Sequence, residues 1–165
     1  DFTCYSFQAI KHITCGDGGA LVCNNDEDFA RGKKLKWFGL DREATKNEKG
    51  EWKGQRWEVD VIEAGYKFHM NNISAAIGNA QIIHYDRIVK AHKTNARIYD
   101  KLIEGNKLIT PIRVLPEANS SHWVYTALLH ESVLRDNVLE GLNNAGINVG
   151  LVCETSNINT LWLVD

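Results

Sequence analysis

The chemistry-bearing stretch of this chain is Ser6-Phe7-Gln8-Ala9-Ile10-Lys11-His12-Ile13-Thr14-Cys15-Gly16-Asp17-Gly18-Gly19. One lysine stands in an otherwise apolar run, at the exit of a strand-like segment and ahead of a glycine-rich turn. Lysine is expensive to bury as a cation. A neutral lysine amine is the nucleophile that makes a Schiff base with a carbonyl. A hydroxyl at Ser6 could donate to an anionic group such as a phosphate. Read from residue types alone, the commoner reading of Lys11 is a surface lysine that snorkels its head into water.

The elements that must position these residues can be read from the pattern around them. Residues 2–8 are strand-like, with aromatic and β-branched character. Residues 9–19 form a connection that ends in the tight turn Gly16-Asp17-Gly18-Gly19, where glycine accepts positive φ cheaply. Ala20-Leu21-Val22-Cys23 reads as a short buried strand, so the expected unit is a hairpin with a functional loop. Asn25 or Asp26 caps a helix that should end near Gly39. Residues 41–58 have no clean period, two tryptophans and many charges, and read as a surface loop. Asn71 or Asn72 caps a second helix through about His84, with Ile73, Ala76, Ile77, Ala80 and Ile83 on one face. A third helix is expected from Asp86 to Ile103, its stripe being Ile88, Val89, Ala96, Tyr99 and Leu102, with Gly105 as the stop.

Beyond Gly105 the pattern changes to short strands, 108–110, 123–129 and 147–152, with a helix over 135–144 ended by Gly146. A domain boundary is therefore expected near residue 85, with 86–165 forming a small α+β domain. The chain opens directly into a strand and closes on an apolar segment, which suggests that a preceding part of a longer protein is missing.

Composition narrows the function classes. The chain has 165 residues, 44% hydrophobic and 24% charged, with a net charge of -2. No basic excess points to nucleic acid or an anionic membrane. No apolar run approaches the roughly 20 residues that span a bilayer. Four cysteines, none in a C-x-x-C pair, read as reduced thiols of a cytoplasmic protein. Six scattered histidines form no metal-ligand cluster, so no metal is expected.

The pattern S-F-x-x-x-K-x-x-x-x-G-x-G-G resembles the cofactor motif of the DegT-type family of pyridoxal-phosphate (PLP) sugar aminotransferases. Further segments agree in order and spacing: 20–23, Trp37-Phe-Gly-Leu-Asp-Arg42, Gly65-Tyr-Lys-Phe-His-Met-Asn71, Ile73-Ser-Ala-Ala-Ile-Gly78 and Ser121-His-Trp-Val-Tyr125. The resemblance covers roughly residues 1–150. It implies an α/β fold, the C-terminal part of a fold-type-I PLP transferase. Residues 1–85 would end the large PLP-binding domain and 86–165 would form the small C-terminal domain, incomplete here.

The resemblance also implies roles. Lys11 would hold pyridoxal 5′-phosphate covalently and shuttle a proton, and Ser6 would hydrogen-bond its phosphate. Gly18 and Gly19 would shape the turn. Lys67, where many members have asparagine, would reach the phosphate in the partner subunit's site of a homodimer. Its residue type suits a solvated loop lysine as well. His69 is expected to be structural. The acidic partner of the pyridine nitrogen, the ring-stacking side chain and much of the sugar-nucleotide pocket would come from the missing N-terminal part. Residues 153–165 depart from the family pattern.

The implied activity is transamination of a keto-sugar nucleotide, with glutamate as amino donor, in amino-sugar biosynthesis for a surface polysaccharide or natural product. A sugar dehydratase of the same family is the alternative. Those relatives typically carry histidine in place of the Schiff-base lysine, so Lys11 argues against it. An inactive fragment and a non-enzymatic PLP-fold protein are the remaining readings.

Overall fold

A computed structural model describes residues 1–54, 58–151 and 160–163. It divides into two compact units, Asp1–Ile83 and His84–Asp165. In the first unit, β1 (Phe2–Ser6) pairs antiparallel with β2 (Gly19–Cys23), with Phe2 opposite Cys23 and Ser6 opposite Gly19. The expected hairpin is present, its first strand ending at Ser6.

Helix α1 (Asp26–Leu35) starts where its sequence requires. The Asn25 side chain accepts from the Asp28 N–H, three acidic residues occupy the first turn, and Lys33 and Lys34 occupy the last. That charge order complements the helix dipole. The helix stops at Leu35, short of the expected Gly39. The reason is tertiary: the carbonyls of Leu35 and Lys36 accept from the N–H groups of Tyr66 and Phe68 at 2.7 and 3.0 Å. The chain then forms isolated bridges, Trp37 with Lys67 and Leu40 with Val61.

Two glycines make this close approach possible. Gly39 has φ +74°, and a Cβ there would collide with the Glu63 carbonyl oxygen. A Cβ on Gly65 would collide with the Gly39 nitrogen. The 41–54 segment turns on itself: Lys46 bridges Trp52, and Lys53 N–H donates to Thr45 at 2.9 Å.

Helix α2 (Asn72–Ile82) begins at Asn71, whose side chain accepts from the Ser74 N–H at 2.9 Å. Its apolar face is bare in this chain. Ile73 is 76% exposed, and Phe2, Leu21 and Phe29 elsewhere in the unit are also exposed. Cys15, 2% exposed, is a buried side chain of this unit.

The second unit has its own core. Helix α3 (Tyr85–Ile103) packs on a four-stranded antiparallel sheet of order β3-β4-β6-β5. The strands are β3 (Ile109–Pro111), β4 (Tyr125–Leu129), β5 (Val149–Leu151) and β6 (Thr160–Leu163). Ala96, Tyr125 and Ala127 are buried together, with Tyr99, Ile103 and Ile109 packed against them. Leu102, expected in the stripe, is 73% exposed. Ile103 takes the place because it follows Ala96 by two helical turns and Tyr99 by one.

The Tyr125 hydroxyl donates to Asp100 at 2.7 Å. Burial first, and then that carboxylate, push the phenol's pKa above its ordinary value. Helix α4 (Arg135–Asn144) ends as its sequence predicts, with Gly146 at φ +81°. Strand β6 was not expected; it lies between β4 and β5. Among the described residues no helix is long and apolar enough to cross a membrane.

Candidate active site

The loop 7–18 joins β1 to β2 and carries Lys11. Its backbone is held from both ends. Phe7 N–H donates to Gly18 at 2.8 Å, and Cys15 N–H donates to Phe7 at 2.9 Å. The Thr14 hydroxyl accepts from Gly16 N–H at 3.0 Å, and the Cys15 thiol donates to the Asp17 carbonyl at 3.3 Å. Cys15 is thus the pin of the loop. Gly18 sits at φ +152°, and a Cβ there would lie 2.9 Å from Cys15 Sγ and 3.0 Å from Met70 Cε. A Cβ on Gly19 would lie 2.6 Å from the Tyr5 carbonyl oxygen. Both glycines are required by packing at the turn.

Lys11 lies in the middle of this loop and is half-buried. Its N–H donates to Gln8 at 2.9 Å, which closes a turn. Ser6 is the last residue of β1, and its hydroxyl accepts weakly from Gln8 N–H at 3.4 Å. Ser6 thus ends the strand from which the loop carrying Lys11 departs.

Lys67 stands apart in sequence, on the bridge to Trp37, with its ammonium 5.9 Å from the Trp37 ring centre. It belongs to a cluster that sequence reading did not assemble. His69 meets Trp37 edge-on, with ring centres 3.9 Å apart. Arg42 lies over Trp37 at 5.0 Å and over Trp52 at 5.8 Å. His69 Nδ1 is closed off from solvent without a hydrogen-bond partner. Burial first, then the charges of Lys67, Arg42 and Lys36, hold its pKa below the ordinary histidine value. The available signal was the tryptophan-rich, charged composition of 41–58, but nothing local tied it to residues 37 and 69.

Nearby carboxylates are already engaged. Lys34 pairs with Asp41 at 2.9 Å, and Arg31 pairs with Glu63 at 3.1 Å. The Lys34 hydrogen bond, with the Ala44 N–H next, holds the Asp41 carboxyl below its ordinary pKa. Cys4, Cys15 and Cys23 are free thiols. The fourth cysteine, Cys153, lies outside the described residues.

The chain is similar to known proteins in sequence and in fold. The UDP-4-amino-4,6-dideoxy-N-acetyl-beta-L-altrosamine transaminase of Campylobacter jejuni subsp. jejuni serotype O:23/36 (strain 81-176) is 28% identical over 151 residues. That match takes in 90% of this chain and 37% of the relative. The crystal structure of AtS13 from Actinomadura melliaura superposes with a TM-score of 0.82 at 29% identity, over 99% of this chain and 46% of that one. The E. coli GDP-4-keto-6-deoxy-D-mannose-3-dehydratase, solved with bound hydrated PLP, superposes with a TM-score of 0.84 over 99% of this chain and 50% of that one. At 18% identity that likeness shows the fold alone. The chain thus spans less than half the length of the relative it matches in sequence. Its fold is that of the C-terminal part of a fold-type-I transferase. The family description that matches residues 1–160 is DegT/DnrJ/EryC1/StrS aminotransferase. Because that match takes in residues 1–160 of the 165, the chain belongs to the DegT/DnrJ/EryC1/StrS aminotransferase family.

Proposed function

We propose that the protein to which this chain belongs is a PLP-dependent aminotransferase acting on a keto-sugar nucleotide, with glutamate as amino donor. The observation that carries the reading is the half-buried Lys11 in a pinned loop of a chain that belongs to this family. The residues present fit the cofactor. An amine in a partly desolvated loop suits attachment to a carbonyl, and the Ser6 hydroxyl at the strand exit suits a phosphate oxygen. When bound, PLP supplies the electron sink for breaking a bond at the amine-bearing carbon.

The chain's own residues then have separable tasks. The Lys11 amine would hold the cofactor and would carry a proton between the substrate carbon and the cofactor carbon. Ser6 orients the phosphate. Lys67 supplies a point charge for the phosphate of the partner subunit's site in a homodimer. Residues 1–85 complete the large domain and 86–165 the small one. The protein works in the cytoplasm, in amino-sugar biosynthesis.

The test uses the full-length protein. Borohydride reduction with PLP should place the pyridoxyl group on the peptide containing Lys11. Glutamate should convert PLP to pyridoxamine phosphate in the wild type, and a panel of keto-sugar nucleotides should then be aminated. A label on another lysine removes Lys11 from the site. Loss of water from a sugar, with no half-reaction from any amino donor, replaces the transaminase with the dehydratase.

A further inference from the structure

Lys11 stands at the midpoint of a closed segment. The Phe7 carbonyl accepts the Cys15 N–H at 2.9 Å, which joins the two ends of 7–15. Lys11 is four residues from each end. The place of that joint therefore sets where the amine can reach. A backbone bond alone leaves the residues between its ends many conformations, so the joint gains precision only from packing.

Two side chains from separated segments supply that packing. Cys15 is 2% exposed, and its thiol donates to the Asp17 carbonyl at 3.3 Å. A thiol is a weak donor, so the side chain acts mainly by filling space. On one side its Cβ meets α2 at Gly78, where an added Cβ would lie at an ordinary contact distance of 3.6 Å. On the other side is Gly18. The point where a Gly18 Cβ would stand is 2.9 Å from Cys15 Sγ and 3.0 Å from Met70 Cε. Met70 comes from outside the loop, one residue before the Asn71 cap of α2. One notch left by a glycine is thus filled from both sides, and the lysine loop is held against the start of α2 as well as to itself.

We propose that Cys15 and Met70 are positioning residues for Lys11, their packing around Gly18 fixing the joint from which the amine reaches the reacting atoms. The use of that amine rests on the transaminase reading; the restraint on it does not. Truncating either side chain leaves the Cys15-to-Phe7 backbone bond in place and loosens the packing around it. The amine then becomes more open to solvent reagents and less well placed for proton transfer.

The test uses the full-length protein and two readouts. The first is the rate at which acetic anhydride acetylates Lys11 in the cofactor-free protein, followed by mass spectrometry of its peptide. Cys15→Ala and Met70→Ala should each raise that rate by about twofold or more. The second is the glutamate half-reaction of the PLP-loaded protein. Its limiting rate should fall about tenfold or more, the scale on which misplacing a reacting group acts, while the half-saturating glutamate concentration stays within about twofold. Cys15→Ser and Met70→Leu, which keep most of the volume, should restore both readouts. Tyr125→Phe weakens the other unit and should match the wild type in both. If Cys15→Ala does not fold, as judged by circular dichroism, Met70→Ala and Met70→Leu carry the test, because Met70 is 36% exposed.

Wild-type acetylation of Lys11 in the alanine variants overturns the proposal. So does a Tyr125→Phe protein that changes as much as they do, since the readouts would then follow stability alone. If acetylation rises in the variants but borohydride places no pyridoxyl group on Lys11 of the wild type, the restraint on Lys11 stands and the transaminase reading fails.

Discussion

Lys11 and Ser6 share a strand exit but carry different loads. Replacing Lys11 removes a loop side chain and leaves the core of the fold untouched. Lys11→Ala should therefore fold normally by circular dichroism and show no conversion of PLP by glutamate. A variant that still converts PLP would end the assignment. Ser6→Ala should keep the covalent link but weaken cofactor binding by about 1.5–3 kcal/mol, the usual worth of a hydrogen bond to a charged group. Equilibrium dialysis of PLP measures it, and an unchanged affinity removes Ser6 from the site.

His69 gives a prediction about pH at the same scale. Its pKa is depressed by burial first and then by Lys67, Arg42 and Lys36. The unfolded chain therefore binds a proton more readily than the folded one near this ring. The ring's contribution to stability is present above the unfolded histidine value, near 6.5, and fades as pH falls below it. In a proton NMR titration the His69 midpoint should lie below the ordinary histidine value, and Lys67→Gln should raise it. A midpoint that ignores Lys67 would show that the cation is not felt.

At the scale of elements, the joint between the end of α1 and the 63–68 segment is the most constrained feature. Gly39 is left-handed and its backbone faces Glu63 with no room for a methyl group. Gly39→Ala should destabilise the protein by at least about 1–3 kcal/mol from backbone strain alone, read by urea unfolding. A neutral result would mean that the joint yields. In the second unit, Tyr125 ties the sheet to α3 through Asp100. Tyr125→Phe leaves that carboxylate without its donor and should cost roughly 1–3 kcal/mol.

At the scale of the whole molecule, the exposed Ile73, Phe2 and Leu21 mark faces that this chain does not cover for itself. The chain spans 37% of the Campylobacter relative. A homodimer with shared sites makes a sharp genetic prediction. If Lys67 serves Lys11 of the partner subunit, mixing inactive Lys11→Ala and Lys67→Ala proteins should restore part of the activity. One site of the mixed dimer then has both lysines intact. If Lys67 serves its own subunit, every mixed site lacks one lysine and no activity returns.

What the sequence by itself determined is the set of features that short-range physics controls. Asn25 and Asn71 start their helices because a side-chain oxygen reaches an N–H three residues on. Gly146 ends α4, and Gly16 and Gly18 turn the lysine loop, because only glycine takes those φ values cheaply. The lysine motif, with the segments in order behind it, was enough to point to the family. Tertiary structure alone decided the rest. Helix α1 stops at Leu35 because Tyr66 and Phe68, distant in sequence, take its last carbonyls. Ile103 rather than Leu102 faces the core because the packing of the sheet sets the helix's rotation. Strand β6 enters between β4 and β5, a pairing partner that no local pattern specifies. The Trp37–Arg42–His69 cluster exists because the Trp37–Lys67 bridge folds one segment onto another. Turn and cap preferences act over a few residues, whereas these contacts form only when separated segments gain more from packing together than ordering them costs.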